Sequence, residues 1–277
     1  MTADAFVADP RPAATVVLLR DSARGPEVFL VRRHESTAFM GGAHVFPGGR
    51  VDAADRDGDA AWADGDSSPY HVAAARELFE EAGVLLARAA NGHFVSLADA
   101  ATHERFRKYR HAVHDGLASL RSVVDGEGLR LAADALVFFS HWVTPPIDTR
   151  QFDTHFFVTR VPPEQTPVHD DTETTHSTWL SPASAIAQAR DELIVLPPPT
   201  WTTLRELECF ATVDAALDWA RHRRVVRRQP LLVEEQGTRM LVMPGDPLHP
   251  DAYDGEPEIE TRFLSVDRRW RAAHADA

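Results

Sequence analysis

The chain has 277 residues, 44% of them hydrophobic, and a formal net charge of −13. Its length permits one large domain or one domain with a smaller lobe, and no apolar stretch approaches the ~18 residues that a membrane span needs. The negative charge argues against nucleic-acid binding, which requires excess positive charge, and the single cysteine, Cys209, excludes an intramolecular disulfide.

The first part of the chain predicts a hairpin followed by a glycine-bearing turn. Residues 14–21 and 27–33 are β-rich runs, and the segment SARGP between them is typical of a hairpin connection. A second loop, HESTAFMGGA, leads into the run HVFPGGRV at 44–51. We expect that run to end a strand in a pair of glycines, where the backbone can approach another group closely.

A polar loop and one helix follow the glycine turn. Residues 52–69 are rich in Asp, Gly and Ser with little periodicity, which predicts an exposed loop. A pair of serines before Pro69 is typical of a helix start. Gly83 is a typical left-handed stop, so the helix is predicted to end at Ala82.

The remaining sequence predicts further helices and strands. Residues 95–130 are amphipathic and helical in at least two pieces, which makes them a helical insert. The strongest strands are predicted at 135–145 and 153–161. A strand at 173–182 leads into a helix, two more helices follow, and two short strands precede a polar tail. The pattern indicates a mixed sheet with helices on it, α/β or α+β.

The helix that ends at Ala82 carries three glutamates, Glu77, Glu80 and Glu81, within an arc of roughly 100° opposite its apolar side. Like charges at this spacing cost about 0.2–0.5 kcal/mol per pair, so a solvated acidic face is the simpler interpretation. The alternative is a platform for a divalent metal, since carboxylates one turn apart can supply part of the oxygen shell of Mg²⁺. Arg76 would then orient a carboxylate through a charge-assisted hydrogen bond.

The residues upstream of the helix favour the metal platform. Gly49 is followed by five residues and then by the acidic Asp55, and the helix reads R-E-x-x-E-E-x-G from Arg76 to Gly83. This pattern resembles the signature of the Nudix hydrolases, G-x5-E-x7-R-E-U-x-E-E-x-G-U, in which U is aliphatic. Asp55 replaces a glutamate, and the seven-residue spacer has become a box insertion, 56–75. Each doubling of a loop's length costs only about 0.6 kcal/mol, so an insertion here is tolerated. The three glutamates all lie on the helix that follows, so the insertion does not change their spacing.

The likeness extends over residues 13–250. The segments FPGG, HWVTPP, FDTHFF, WLSP, LPPPTW and MPGD occur in the order found in the Nudix branch typified by the peroxisomal acyl-coenzyme A diphosphatases of animals. The resemblance implies a Nudix α/β/α sandwich around a central mixed sheet, with the box insertion 56–75 and an added helical lobe at 95–130. We expect a single domain over 13–250, with flexible or peripheral tails at 1–12 and 251–277.

The resemblance also implies an activity, which is hydrolysis of a diphosphate bond with Mg²⁺ or Mn²⁺ as cofactor. For coenzyme A or acyl-coenzyme A the products would be 4′-phosphopantetheine, or its acyl form, and adenosine 3′,5′-bisphosphate. Glu77 and Glu81 are expected to ligate the metal directly, Glu80 directly or through water, and Gly49 through its carbonyl. Arg76 completes the expected catalytic set.

Four residues outside the helix are further candidates. Arg32, Arg33 and Arg150 could hold phosphate, although a surface role for each is equally open. The general base is expected to be a box glutamate or an acid from a distant loop, for which Glu173 is the outside candidate. An exposed carboxylate at a strand end is the simpler interpretation of Glu173.

Three histidines, His44, His141 and His155, could also be read as metal ligands. Metal motifs place their ligands at characteristic intervals. The spacing of these three fits no known ligand set, so they are interpreted as strand or pocket residues.

The substrate stays open among several diphosphates. A coenzyme A motif that precedes FPGG in better-known members is only partly present, because Arg33 and Gly42 align whereas His34 and Ala38 replace the expected residues. A lost arginine removes a bidentate phosphate contact, so this motif does not assign the substrate. The rival substrates are NADH, ADP-ribose or an RNA 5′ end. A non-catalytic module that senses a nucleotide is the rival from another class, and the intact glutamates argue against it.

The expected partner is a small-molecule diphosphate, with no membrane. A monomer and a homodimer both stay open. The terminal HADA lacks a peroxisomal address of the S-K-L type, so the cytoplasm is the expected compartment.

Overall fold

A computed structural model describes residues 9–35, 40–56, 62–65, 67–146, 150–170, 172–251, 255, 260–267 and 269–273. The strands are β1 (Arg11–Ser22), β2 (Gly25–Arg33), β3 (His44–Val45), β4 (Gly48–Arg50), β5 (Ala87–Arg88), β6 (Arg130–Leu131), β7 (Val137–Val143), β8 (Phe152–Arg160), β9 (Thr174–Leu180), β10 (Arg227–Arg228), β11 (Leu231–Glu235), β12 (Thr238–Val242), β13 (Arg262–Val266) and β14 (Arg269–Ala272). The helices are α1 (Pro69–Ala82), α2 (Ala100–His114), α3 (Leu120–Gly126), α4 (Pro182–Arg190), α5 (Pro198–Leu207) and α6 (Val213–His222). Among the described residues, no helix is both long enough and apolar enough to cross a membrane.

The central sheet is mixed, as the sequence predicts. Its path runs β10-β7-β8-β1-β2-β3, while β4 pairs with β1 and β9 pairs with β2. β1 is parallel to β8 and antiparallel to β2, and β10 is parallel to β7. The predicted hairpin is present, because β1 and β2 pair around the turn at Ala23 and Arg24.

The hairpin opens into a fork that receives the glycine turn. β1 and β2 pair with each other over 19–22 and 25–28. Farther from the turn, β4 pairs with β1 and β3 pairs with β2, so the β3–β4 connection enters between them. Within the fork, the amide of Val16 donates to the carbonyl of Pro47 at 2.8 Å. The fork therefore fixes the FPGG segment at the centre of the sheet.

Alternating residues of β1 separate two layers of core. Ala14, Val16 and Leu18 pack in one buried cluster with α1, whereas Val17 and Leu19 pack in a second cluster with α4, α5 and α6. This division follows from the two-residue period of a strand, which sends successive side chains to opposite faces. The structure confirms the predicted α/β/α sandwich.

Helix α1 has the predicted start and stop. Pro69 is its first residue, where a missing amide costs nothing. Gly83 adopts φ 68° and its amide donates to the carbonyl of Phe79 at 3.0 Å, the left-handed arrangement that favours glycine. Ala74 and Leu78 are fully buried, and Glu77 and Glu81 on the same helix reach the glycine turn.

The predicted helical insert is present as α2 and α3. Asp99 caps α2 by accepting the amides of Ala101 and Thr102 at 3.0 and 3.2 Å. Phe106 and Val123 from these helices are buried in the cluster that also contains α1. The insert therefore belongs to the α1 side of the sandwich.

The box insertion differs from the predicted exposed loop. Trp62 and Ala63 are buried, and Asp64 accepts a hydrogen bond from Arg130 of β6 at 2.7 Å. Trp62 stands among alanines in an aspartate-rich segment that has no periodicity to signal burial, and the contacts of this segment come from distant elements. Residues 57–61 and 66 lie outside the described part of the chain.

The C-terminal region also differs from the predicted tail at 251–277. Strands β13 and β14 join β11 and β12 in a four-stranded antiparallel sheet. Phe263 is 1% exposed and packs in the α4–α6 cluster, so this sheet contributes to the core. Strands β13 and β14 are only five and four residues long, the shortest length at which alternation can be read. At the other end, β1 already includes Arg11, and residues 1–8 lie outside the described residues.

Candidate active site

Two glutamates of α1 meet the glycine turn. Glu81 accepts a hydrogen bond from the amide of Gly48 at 3.0 Å and is 6% exposed. At Gly49, a Cβ atom would lie 2.4 Å from Oε1 of Glu77, so only glycine allows this approach. The three box glutamates therefore do not form a solvated face, since the side chains of Glu77 and Glu80 are also only 13% and 12% exposed.

Arg76 is the centre of an ion-pair network. Its Nη1 donates to one oxygen each of Glu77 and Glu80, both at 2.9 Å. Its Nη2 donates to the carbonyl of Arg50 at 2.8 Å. Burial disfavours the charge, but the bonds to Asp55 and the nearby carboxylate of Glu77 raise the pKa of Arg76 above its ordinary value. Arg76 is a permanent cation that orients the carboxylates around it.

Asp55, which stands where the Nudix signature has a glutamate, is the anchor of Arg76. Its two oxygens accept from Nε and Nη2 of Arg76, each at 2.9 Å. It also accepts the amide of Asp52 at 2.8 Å and its side chain is 2% exposed. Asp55 lies in a short 3-10 helix at Ala53–Arg56, directly before the insertion. It therefore acts as a positioning residue for Arg76.

The buried carboxylates destabilise each other's charge. Burial raises the pKa of Glu77 to about 7, with the charges of Glu80 and Glu173 adding to the effect and Arg76 opposing it. Burial and the charge of Glu77 also raise the pKa of Glu81 well above its usual range. Burial raises the pKa of Glu80 in the same direction.

This donor set fits a divalent cation. Hard cations such as Mg²⁺ prefer oxygen ligands, and a cation would relieve the repulsion between the carboxylates of Glu77 and Glu81. The absence of a Cβ at Gly49 leaves its backbone next to Glu77. The chemistry of the residues present is therefore that of a site for a divalent cation.

A cavity of about 610 Å³ opens beside the glutamates, within the range of small-molecule sites. Its wall contains Glu77, Glu80, Arg33, Arg150 and Glu173. The structure thus brings most of the candidates from distant parts of the sequence into one site. Arg32 is different, because its Nη2 donates to Glu35 at 2.6 Å and its side chain is 40% exposed at the surface.

Glu173 is exposed at the start of β9 and also lines the cavity. Its backbone is held by Asp170, which accepts the amides of Glu173 and Thr174 at 3.0 and 2.9 Å. Its charge contributes to the raised pKa values of Glu77 and Glu81. The position of Glu173 is therefore compatible both with an exposed carboxylate at a strand end and with a general base.

His114 is a site residue that the sequence did not indicate. It lies at the end of α2, lines the cavity, and places Nδ1 3.7 Å from Oε2 of Glu80. One turn earlier, Nε of Arg110 donates to the backbone carbonyl of Glu80 at 2.7 Å. Nothing in the amphipathic pattern of the insert distinguishes these residues from a solvated basic face, since their contacts depend on how α2 packs on α1.

The three histidines are strand residues, as interpreted. His44 is buried in β3, and burial together with the charges of Arg32 and His176 lowers its pKa to about 4. His141 and His155 lie on neighbouring strands near Asp153, with possible ligand atoms within 4.8 Å of one another. Structural contacts account for this group, because His141 bonds Asp153 at 2.6 Å and His155 stacks on Tyr70 and Phe138. Ala38 of the coenzyme A motif lies outside the described residues.

Known proteins are similar in sequence to most of the chain. The family model described as the NUDT19 Nudix domain matches residues 65–207, which include all three glutamates. The human protein named acyl-coenzyme A diphosphatase NUDT19 is 30% identical over 299 residues, covering 84% of this chain and 74% of that protein. The Xenopus laevis protein of the same name is 26% identical, covering 86% of this chain and 75% of that protein.

A solved structure shares the fold. The crystal structure of a NUDIX hydrolase from Alicyclobacillus acidocaldarius superimposes with a TM-score of 0.66 at 26% sequence identity. The match covers 76% of this chain and 96% of that chain. The mixed sheet and its flanking helices are therefore shared with an experimentally determined Nudix structure.

Proposed function

The chain belongs to the Nudix hydrolases of the NUDT19 branch and is a Nudix diphosphatase, and we propose that it cleaves the diphosphate bond of coenzyme A or acyl-coenzyme A. The observation that carries the proposal is the burial of Glu77 and Glu81 against the glycine turn, with Glu77 in the wall of a cavity that also contains arginines. The printed names of the curated relatives support the substrate class.

The metal in this proposal is Mg²⁺ or Mn²⁺. Glu77 and Glu81 would hold it, with Glu80 as a further ligand and Gly49 contributing its carbonyl. When bound, such an ion neutralises phosphate oxygens and lowers the pKa of water. Arg76 and its anchor Asp55 keep the carboxylates in place, so that little reorganisation is needed during the reaction.

The remaining residues act on the substrate and on water. Arg33 and Arg150 lie in the cavity wall, where they would bind phosphate oxygens. Nε of Arg33 is buried and has no hydrogen-bond partner among the described residues, which leaves this donor to a ligand. Glu173 or a box glutamate takes a proton from water, whose oxygen forms a bond to one phosphorus. The P–O bond of the anhydride breaks, and the bridging oxygen leaves with the second phosphate.

The rival substrates are NADH, ADP-ribose and an RNA 5′ end, which share the diphosphate. The rival of another class, a non-catalytic nucleotide sensor, would have no need for three buried glutamates, whose charges cost stability when no metal is bound. Phe46, Trp142 and Phe156 also line the cavity, and such apolar side chains favour a substrate with an aliphatic arm over a dinucleotide.

The experiment is a substrate panel. The protein is incubated with Mg²⁺ or Mn²⁺ and, separately, with coenzyme A, acyl-coenzyme A, NADH, ADP-ribose and a 5′-capped RNA, and the products are separated by chromatography. We expect adenosine 3′,5′-bisphosphate from the coenzyme A substrates and no release when EDTA is present. Turnover of another diphosphate alone would replace the proposed substrate, and tight binding without turnover would favour the sensor.

A further inference from the structure

The cavity beside the glutamates has two chemically different walls. One wall is charged and comes from α1, the end of β2 and the segments that carry Arg150 and Glu173. The other wall is apolar and comes from strands β7, β8, β12 and β14 and from the start of α5. Six residues represent this second wall, which we call the apolar wall: Phe46, Trp142, Phe156, Pro198, Leu241 and Trp270.

The side chains of the apolar wall are mostly buried and packed against one another. Phe46, Trp142, Phe156 and Leu241 are each at most 6% exposed and belong to one buried cluster, against which Trp270 packs. Each nevertheless contributes to the cavity lining. The cavity therefore reaches into the core on the α4–α6 side of the sheet, where an apolar ligand would lose contact with water.

The apolar wall begins close to the reacting groups. Phe46 lies two residues before Gly48, whose amide bonds Glu81. A molecule with its diphosphate at the glutamates would therefore have one arm next to Phe46. The C-terminal sheet completes the far part of the wall through Leu241 of β12 and Trp270 of β14.

We infer that the apolar wall is the binding subsite for the acyl arm of an acyl thioester of coenzyme A, and that Trp270 and Leu241 set the preferred chain length. This inference rests on the proposed function. A diphosphate of this class has one anionic arm, the adenosine 3′-phosphate, and one uncharged arm that ends in the acyl chain. None of the six residues that define the apolar wall is a cation that could bind the 3′-phosphate, whereas their side chains remove methylene groups from water.

The charged wall suits the other arm. Arg33 and Arg150 line the cavity on the side of β2 and the start of β8, and both could meet anionic oxygens. In this inference the adenosine part of the substrate lies toward the arginines and the acyl part toward the C-terminal sheet.

The test is a chain-length series on the wild-type protein. Initial rates are measured for coenzyme A and for its acetyl, hexanoyl and decanoyl thioesters at saturating Mg²⁺. We expect kcat/KM to rise with chain length, by up to about four-fold for each methylene that is buried. If coenzyme A is cleaved but kcat/KM is independent of chain length, the inference is overturned and the proposed function stands. If none of the four compounds is cleaved, the proposed function itself fails.

A substitution in the C-terminal sheet tests whether this sheet causes the dependence of kcat/KM on chain length. Trp270→Ala is expected to lower the ratio of kcat/KM for decanoyl-coenzyme A to that for coenzyme A by roughly tenfold. The ratio does not depend on the fraction of folded enzyme. Trp219→Ala is the matched control, because Trp219 packs against the same cluster without lining the cavity. An unchanged ratio in Trp270→Ala, or an equal fall in Trp219→Ala, would remove the C-terminal sheet from the subsite.

Discussion

Asp55 holds Arg76 with both carboxylate oxygens, each 2.9 Å from a guanidinium nitrogen, although 21 positions separate the two residues. Asp55→Asn should lower the free energy of unfolding by about 3 kcal/mol, because it leaves a buried guanidinium with one compensating charge fewer. Urea unfolding monitored by circular dichroism measures the change. The matched control is Asp64→Asn, because the side chains of Asp64 and its partner Arg130 are 35% and 49% exposed; this substitution should cost no more than about 1 kcal/mol. Equal losses in the two variants would contradict the anchoring role of Asp55.

Glu81→Gln should lower the rate of hydrolysis without lowering the stability of the fold. We expect the rate of diphosphate hydrolysis to fall at least about 100-fold, since even outer-shell partners of a bound metal are worth 10- to 100-fold. The metal-free variant should be at least as stable as the wild type, because the mutual repulsion with Glu77 is lost. Rates with Mg²⁺ and thermal unfolding with EDTA give the two quantities. Glu104→Gln, on the exposed side of α2, should change neither, and wild-type rates in Glu81→Gln would exclude Glu81 from the metal site.

The two glycines of the turn should respond differently to alanine. In Gly49→Ala the new Cβ meets the end of the Glu77 side chain, which can rotate away, so the fold should survive while hydrolysis is lost. In Gly48→Ala the Cβ would lie 2.5 Å from the backbone oxygen of Ala14 and 2.7 Å from Cα of Thr15, so the sheet itself must shift. We expect a loss of about 1–3 kcal/mol in stability for Gly48→Ala. Melting temperatures compared with rates distinguish the two, and a normal rate in Gly49→Ala would contradict the close approach.

His155 should make the fold sensitive to acid. Burial, together with the nearby His141, lowers its pKa to about 4, against an ordinary value of 6.5 in the unfolded chain. Between these values the unfolded chain binds the additional proton, so this contribution to stability is complete above pH 6.5 and is lost as the pH falls towards 4. His155→Phe keeps an aromatic ring between Tyr70 and Phe138 and removes the titration. Urea unfolding from pH 4 to 7 should show a smaller loss for the variant, and parallel curves would contradict the assignment.

Local signals sufficed for the catalytic helix. Pro69 marks the start of α1, Gly83 marks its end, and the spacing of the apolar residues predicts which side of the helix packs against the core. All of these signals lie within fifteen positions. The mixed sheet and the flanking helices followed from the order of strands and helices and from the resemblance to a known family. These features depend on residues that are neighbours in sequence.

Long-range contacts account for what the sequence did not reveal. The anchoring role of Asp55, the burial of Trp62 and the approach of His114 to Glu80 each join segments that are far apart in the chain. Phe263 and Trp270 lie in a short hairpin, β13–β14, that joins the C-terminal sheet through β12, a strand on the other side of residues 251–260, so no local pattern signals this sheet. The roles of Arg33, Arg150 and Glu173 stay predictions that the substrate experiments address.

The anchoring of Arg76 by Asp55 has a consequence for how such enzymes are recognised. The pair holds both ends of the insertion at a fixed separation in space, and the connecting chain can therefore lengthen or shorten during evolution without disturbing catalysis. A search that demands a constant number of residues between the glycine turn and the helix would overlook this protein. A search for an acidic side chain able to reach the arginine of the helix in three dimensions would retrieve it, together with relatives whose connections have other lengths.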